Sequence, residues 1–298
     1  MIITTMDLGS NSFRVLQYDC KTDQFLGEFD KTVGTADGLK KSGIISKEAQ
    51  TRVINAINEA KHQLIFDPSK VVAVTTQAMR AANNSEEVIQ NIFKETGIKF
   101  TIIDGEIEAK LTLLAIKQAL KREKIDNKKF VALDIGGGST ELIIVDDEVQ
   151  VQSFAYGIVT LSQSDKRDKE LADLKKLVSQ YIQSKDLKEY NFIATAGTPT
   201  TIAAVMHGLN YQTYDKQIIN GTKVNLSHIL AVQNELLSLS ETQLEEKVGT
   251  GRSHYIDTGI EIFKLFYTTL EKEQSMVFDD GLREGVAINY CLEHLHRL

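Results

Sequence analysis

The chain predicts an α/β protein built from two similar domains that face a shared cleft. Three observations predict it. Its 298 residues exceed what one compact core holds and suit two domains. Short, apolar, β-prone runs alternate with helix-period segments from end to end. One pattern also occurs twice. Met6-Asp7-Leu8-Gly9-Ser10-Asn11-Ser12 returns as Leu133-Asp134-Ile135-Gly136-Gly137-Gly138-Ser139, Asp-apolar-Gly-x-x-Ser in both. A strand running into a small-residue turn and a helix recurs later in each half, over 71–82 and 193–205. Such a repeat signals two copies of one unit. Mixed sheets with helices on their faces fit the alternation, and ligands then bind where the turns of the halves converge, in the interdomain cleft.

In the first half, residues 2–8 read as a strand, 9–11 as turn chemistry and 13–18 as a second strand, with a third over 25–33. Ser46 caps a helix whose apolar positions Val53, Ile54, Ile57, Ala60 and Leu64 follow helical spacing. A buried strand over 70–75 precedes two helical pieces, the second running from Ser85 to Gly97. A strand over 99–103 and a helix over 106–120 complete this half. The second half begins with strands over 130–135, 141–145 and 149–154. A long helix is expected over 161–184, a strand over 191–195 and a helix from Thr198. Asn220-Gly221 carries a hairpin signal. Helices, a strand over 275–278 and a final helix from Leu282 end the chain.

Composition excludes several classes. Apolar residues at 42% and charged residues at 25% are ordinary for a globular protein, and two prolines rule against long stiff linkers. No apolar run approaches the ~18 residues of a membrane span, and residues 1–7 lack a signal peptide's basic and apolar regions. A cytoplasmic protein with no membrane partner is therefore expected. Cys20 and Cys291 stand alone and are expected to be reduced thiols. A net charge of −7 argues against nucleic-acid polymers as partners. The six histidines show no metal-ligand spacing, and His294 and His296 fall on different faces of the final helix.

Certain residues can carry chemistry. A hairpin turn of small residues presents consecutive backbone N–H groups that suit phosphate oxygens, and Ser10, Asn11, Ser12, Ser139 and Thr140 can add side-chain contacts. Asp7 and Asp134 each end a buried apolar strand, a costly place for a carboxylate unless it is hydrogen-bonded, paired or metal-bound. Facing one cleft, they make a natural Mg²⁺ site. Glu141, across the second hairpin, can turn toward the same place or remain a solvated strand carboxylate. Glu108 opens a helix, where acidic residues are common for dipole reasons alone. Arg80, Arg252 and Arg283 sit beside small residues and suit bidentate phosphate contacts; each can equally serve a structural ion pair.

Together these motifs resemble the exopolyphosphatase/guanosine pentaphosphate phosphohydrolase family, of the actin–sugar kinase–Hsp70 superfamily. The similarity spans the chain: 7–14, Thr76-Gln77-Ala78-Met79-Arg80, Gly105-Glu106-Ile107-Glu108-Ala109, Asp134-Ile135-Gly136-Gly137-Gly138-Ser139-Thr140-Glu141-Leu142, Ala196-Gly197-Thr198 and Gly281-Leu282-Arg283-Glu284-Gly285. The resemblance implies two actin-like, RNase H-like domains, 1–115 with the terminal helix 282–298, and 116–281. It implies removal of terminal phosphate from polyphosphate or guanosine pentaphosphate by Mg²⁺, or another hard divalent cation, and water. Glu108 is then the base acting on the water, with Asp134 and Glu141 also catalytic. Asp7, Asp134 and Glu141 hold the metal. Ser10, Asn11, Ser12, Arg14, Arg80, Gly136, Gly137, Gly138, Ser139, Gly197 and Thr198 bind phosphate.

Two departures stand out. Longer relatives continue into further helical domains beyond the equivalent of Gly281–Gly285, so this chain resembles the short members. Relatives often place an arginine where this chain has Gly34. Two alternatives share the fold: an ATP-dependent kinase or ATPase, for which Ala196-Gly197-Thr198 only partly matches a purine-pocket glycine pair, and a non-catalytic nucleotide sensor. Oligomeric state is open, a homodimer among the options.

Overall fold

The computed structural model describes residues 1–126 and 128–295. His296 lies outside the described residues. The chain forms two compact units, Met1–Ala115 with Gly281–Leu298, and Ile116–Asp280.

Unit 1 begins with strands β1 (Ile2–Leu8), β2 (Ser12–Asp19) and β3 (Gln24–Thr32), then α1 (Leu39–Ser42) and α2 (Lys47–Leu64). It continues with β4 (Val71–Thr75), α3 (Gln77–Ala81), α4 (Ser85–Thr96) and β5 (Phe100–Ile102). Its sheet has the order β3-β2-β1-β4-β5. The first three strands are antiparallel neighbours, whereas β4 and β5 run parallel to β1. Helix α5 (Gly105–Arg122) contains the boundary with unit 2.

Unit 2 repeats the plan with β6 (Phe130–Ile135), β7 (Thr140–Val145), β8 (Val149–Phe154), α6 (Ile158–Ser162), α7 (Arg167–Ile182), β9 (Asn191–Thr195) and α8 (Gly197–Met206). Next come α9 (Lys216–Ile219), β10 (Thr222–Asn225), α10 (Leu226–Leu237), α11 (Glu241–Val248), α12 (Ile256–Thr269) and β11 (Gln274–Val277). The sheet order is β10-β11-β9-β6-β7-β8. Without β10, the order and strand directions equal those of unit 1. The expected pair of similar actin-like α/β domains is thus present, and the duplication read from two short motifs extends to whole sheets.

Local chemistry explains most boundaries. Ser46 Oγ accepts the Ala49 N–H at 3.1 Å and starts α2. Gly97, with φ of 70°, ends α4 in the left-handed region. Two expectations need correction. The long helix over 161–184 is two helices, because Lys166 N–H bonds Ser164 Oγ in a turn between α6 and α7. Asn220-Gly221 is not a hairpin: Asn220 caps the end of α9, and its side chain accepts the Asp279 N–H at 2.7 Å while donating to Asp280. Its neighbour β10 pairs with the distant β11.

Helix α13 (Leu282–Leu295) belongs to unit 1. Ala287 and Cys291 pack with Ile3, Leu16 and Tyr18, while Leu282 and Val286 pack with Val74 and Ile103. Burying a side chain the size of Val286 or Leu282 stabilises by about 1.5–3 kcal/mol. The same packing overturns the expectation of reduced thiols: Cys20 and Cys291, 271 residues apart, form a disulfide. Nothing in the spacing could show it, because only the return of α13 brings the two sulfurs together. Reducing the pair, or Cys291→Ser, is expected to lower stability by about 2–4 kcal/mol, since a long closed loop constrains the unfolded chain. Urea unfolding with and without a dithiol reductant measures this.

Candidate functional site

The two hairpins are built alike. In unit 1 the Gly9 N–H bonds the Ser12 carbonyl at 3.0 Å; in unit 2 the Gly136 N–H bonds the Ser139 carbonyl at 2.9 Å. The segment after the third strand then ties down the turn's carbonyls. Asn11 O accepts from Val33 and Gly34 at 2.8 and 2.9 Å, and Ser10 O from Ala36 at 2.8 Å. In unit 2, Gly136 O accepts from Ile158 at 3.0 Å, and Gly137 O from Val159 at 2.8 Å. The N–H groups of Ser10 and Asn11, and of Gly137, Gly138 and Ser139, enter no hydrogen bond among the described residues. A turn with its acceptors occupied and its donors unspent favours an anion. Ser10 and Ser139 are buried within these turns.

The carboxylates separate by unit. Asp134 and Glu141 are directly opposite across β6 and β7, so they share one face of the sheet. Glu141 is 1% exposed, and Ser153 on β8 donates to its Oε1 at 2.7 Å. Like charges directly opposite each other destabilise a sheet, and a cation beside them offsets that repulsion. The corresponding row in unit 1 has different chemistry. Asp7 stands across from Arg14, and Arg14 from Asp30, with Arg14 Nε 2.9 Å from Asp30 Oδ2. Asp7 therefore has a guanidinium for its cross-strand neighbour. The metal set expected from the sequence divides between the units, with Asp7 in unit 1 and Asp134 and Glu141 in unit 2. The Asp134–Glu141 pair fits Mg²⁺ by itself, because that ion keeps several waters and takes one or two carboxylates plus phosphate oxygens.

Glu108 sits in the first turn of α5, which Asp104 caps by accepting the Ile107 N–H at 2.8 Å. The dipole explanation suits its neighbour Glu106, an exposed carboxylate paired with Lys110 at 2.6 Å. Glu108 differs. It is only 9% exposed, and Arg80 Nη1 donates to its Oε2 at 2.9 Å. Arg80 Nη1 also bonds the Ile103 carbonyl at 2.6 Å, and Arg80 Nε bonds Gln77 Oε1 at 3.0 Å.

Other candidates fall in different settings. Gly197 opens α8 with open space where a side chain would stand, and Ala196 before it adopts φ of 72°. The Thr198 hydroxyl is seated against Gly259 of α12, where a Cβ would lie 2.0 Å from it. Packing explains that threonine. Arg283 is 4% exposed and donates to Glu284 at 2.6 Å and to Glu28 at 2.7 Å, so it is a structural ion pair. Burial alone would raise the Glu284 carboxyl, but the Arg283 charge and the Gly281 N–H hold it below its ordinary value. Arg252 lies over the Tyr211 ring, 5.4 Å from its centroid. Where an arginine is missing at Gly34, Arg52 of α2 reaches the same loop and donates to Val33 O at 2.7 Å, Gly34 O at 2.9 Å and Asp37 at 2.8 Å.

Sequence reasoning missed Gly157, Ser153 and Gln77. A Cβ on Gly157 would meet Gly138 N at 2.4 Å and Gly137 C at 2.5 Å, so this glycine lets the segment after β8 close on the turn. Aligning the two halves past their third strands pairs Gly157 with Gly34 and could have flagged it. Ser153 carried no signal by itself, and Gln77 entered only as part of the 76–80 motif, with no role assigned to it.

Comparison with known proteins agrees. A Haemophilus influenzae protein provisionally named an exopolyphosphatase is 28% identical over 98% of this chain and 91% of its own length. Exopolyphosphatase 1 of Mycobacterium tuberculosis is 32% identical, over 51% of this chain and 44% of its own. The crystal structure of the Aquifex aeolicus Ppx/GppA family member matches 98% of each chain at 25% identity, with a TM-score of 0.73. A Cytophaga hutchinsonii exopolyphosphatase structure, at 22% identity and a TM-score of 0.82 over 98% of each chain, shares the fold. The model of the Ppx/GppA phosphatase family matches residues 19–294, and the chain belongs to that family.

Proposed function

We propose that the protein releases terminal phosphate from inorganic polyphosphate, or from the 5′ end of guanosine pentaphosphate, by Mg²⁺-assisted attack of water. The observation that carries this is the Asp134–Glu141 carboxylate pair at the base of a glycine turn with unspent N–H donors. Names carried by relatives support polyphosphate as the first substrate to try.

In this reading the N–H groups of Gly137, Gly138 and Ser139 take oxygens of the terminal phosphate and neutralise charge by hydrogen bonding. Asp134 and Glu141 are the residues that would hold the metal, which when bound would supply charge neutralisation to the transferred phosphoryl group. Ser153 keeps Glu141 oriented by donating to Oε1. Glu108 accepts a proton from the attacking water. The new P–O bond forms on that water's oxygen, and the bridging P–O bond breaks. Inorganic phosphate leaves with the water's oxygen, and the shortened chain departs with the bridging oxygen. Catalysis of this kind is mostly positioning and charge stabilisation.

Phosphate release from short polyphosphate, long polyphosphate, guanosine pentaphosphate and ATP, with Mg²⁺ and then with excess EDTA, tests the reading. Release from polyphosphate or guanosine pentaphosphate that EDTA abolishes and Mg²⁺ restores is the expected result. Release from ATP alone points to the kinase-like alternative, and release from none to a sensor.

A further inference from the structure

We propose that Gln77 is a positioning residue for the reaction, acting on Glu108 through Arg80. The role rests on the assignment of Glu108 as the base.

The geometry is a relay of three side chains within unit 1. Gln77 opens α3 and Arg80 lies three residues on, so both project from one side of a single helical turn. Arg80 Nε donates to Gln77 Oε1 at 3.0 Å, and Nη1 donates both to the Ile103 carbonyl and to Glu108 Oε2. A guanidinium is a rigid plane with five N–H donors. Conjugation already bars rotation about Nε–Cζ, and anchoring Nε on Gln77 and Nη1 on the Ile103 carbonyl restrains the swing of the plane about the Cδ–Nε bond. The Nη1 donor aimed at Glu108 then points in one direction only.

Gln77 is the one anchor in this relay that a side-chain change can remove, because the other is a backbone carbonyl. Without an acceptor at Nε, the guanidinium retains its charge and its contact with Ile103 but can swing about that contact. The Glu108 carboxylate follows it. Displacing a catalytic group by a fraction of an ångström lowers turnover far more than binding. The two N–H groups of Arg80 Nη2 enter no hydrogen bond among the described residues. The relay therefore leaves that edge of the guanidinium available to a phosphate oxygen while the opposite edge holds Glu108.

The experiment compares wild type, Gln77→Met, Gln77→Ala, Gln77→Glu and Glu108→Ala by steady-state phosphate release, with a thermal melt of each. Methionine matches glutamine in length and helix preference but accepts no comparable hydrogen bond, while glutamate keeps the acceptor. The expected result is a kcat lower by about tenfold or more in Gln77→Met and Gln77→Ala, with KM within about threefold of wild type. Gln77→Glu regains most of kcat. Loss in all three Gln77 variants alike, or a rise in KM with kcat unchanged, overturns the positioning role. So does full activity in Gln77→Met, or in Gln77→Ala should the methionine variant not fold. Wild-type turnover that survives Glu108→Ala sinks the assignment of the base instead. A wild type that hydrolyses nothing removes both.

Discussion

Glu108→Ala is expected to reduce phosphate release by about 10²- to 10⁴-fold, the usual contribution of a general base in place. The fold should persist. Arg80 loses one acceptor but keeps the Ile103 carbonyl and Gln77 Oε1, so it does not become a buried charge without partners. The cost of the missing charged hydrogen bond is about 1–3 kcal/mol, within what a domain of ordinary stability tolerates. Circular dichroism and a thermal melt check the fold; the phosphate assay checks turnover. A wild-type-like rate removes Glu108 from the mechanism. The contrast with Glu106→Ala sharpens the test. That carboxylate lies on the same helical turn but is solvent-exposed and paired only with Lys110 on the surface, so its loss should leave turnover unchanged.

Gly285→Ala is expected to cost about 3 kcal/mol or more in stability. A Cβ at that position would lie 1.9 Å from the Leu111 carbonyl oxygen and 2.4 Å from its carbonyl carbon. Both are backbone atoms of α5, so no rotamer change relieves the overlap, and α13 must shift away. Overpacking of this kind commonly costs about 1–3 kcal/mol, and a rigid neighbour places the change at the upper end. The shift also strains two other contacts on α13: the Thr5 hydroxyl's bond to the Arg283 carbonyl and the buried Arg283–Glu284 pair. A lowered urea midpoint is the readout. Gly197→Ala is the control, because nothing stands within 4 Å of its added Cβ, and an alanine in a helix is neutral or stabilising there. Equal losses in the two variants contradict the close approach of α13 and α5.

Much of the fold was legible because its signals are local. Apolar alternation, the Ser46 cap and the glycine stop at Gly97 depend on a few neighbouring residues. Two signals misled for the same reason. Asn220-Gly221 has hairpin chemistry, yet its neighbouring strand found its partner some fifty residues later, on β11. The helical period over 161–184 continued through a turn that a single Ser164 hydroxyl creates. The candidate site was legible as a set of residue types on two matching hairpins. Which carboxylate pairs with which was not.

The sequence by itself determined that the protein is a duplicated α/β fold with an acidic residue at the end of each hairpin's first strand. It did so because strand periodicity and small-residue turns are written in consecutive positions. Only the tertiary structure fixed that both hairpins pair in the same register, so that Glu141 stands opposite Asp134 where Arg14 stands opposite Asp7. A slip of one residue in either hairpin would turn these side chains to the other face of the sheet. The same holds for Glu108, whose separation from its look-alike Glu106 needs a guanidinium from another helix. It holds too for the Cys20–Cys291 disulfide, which exists only because the last helix returns to the first sheet.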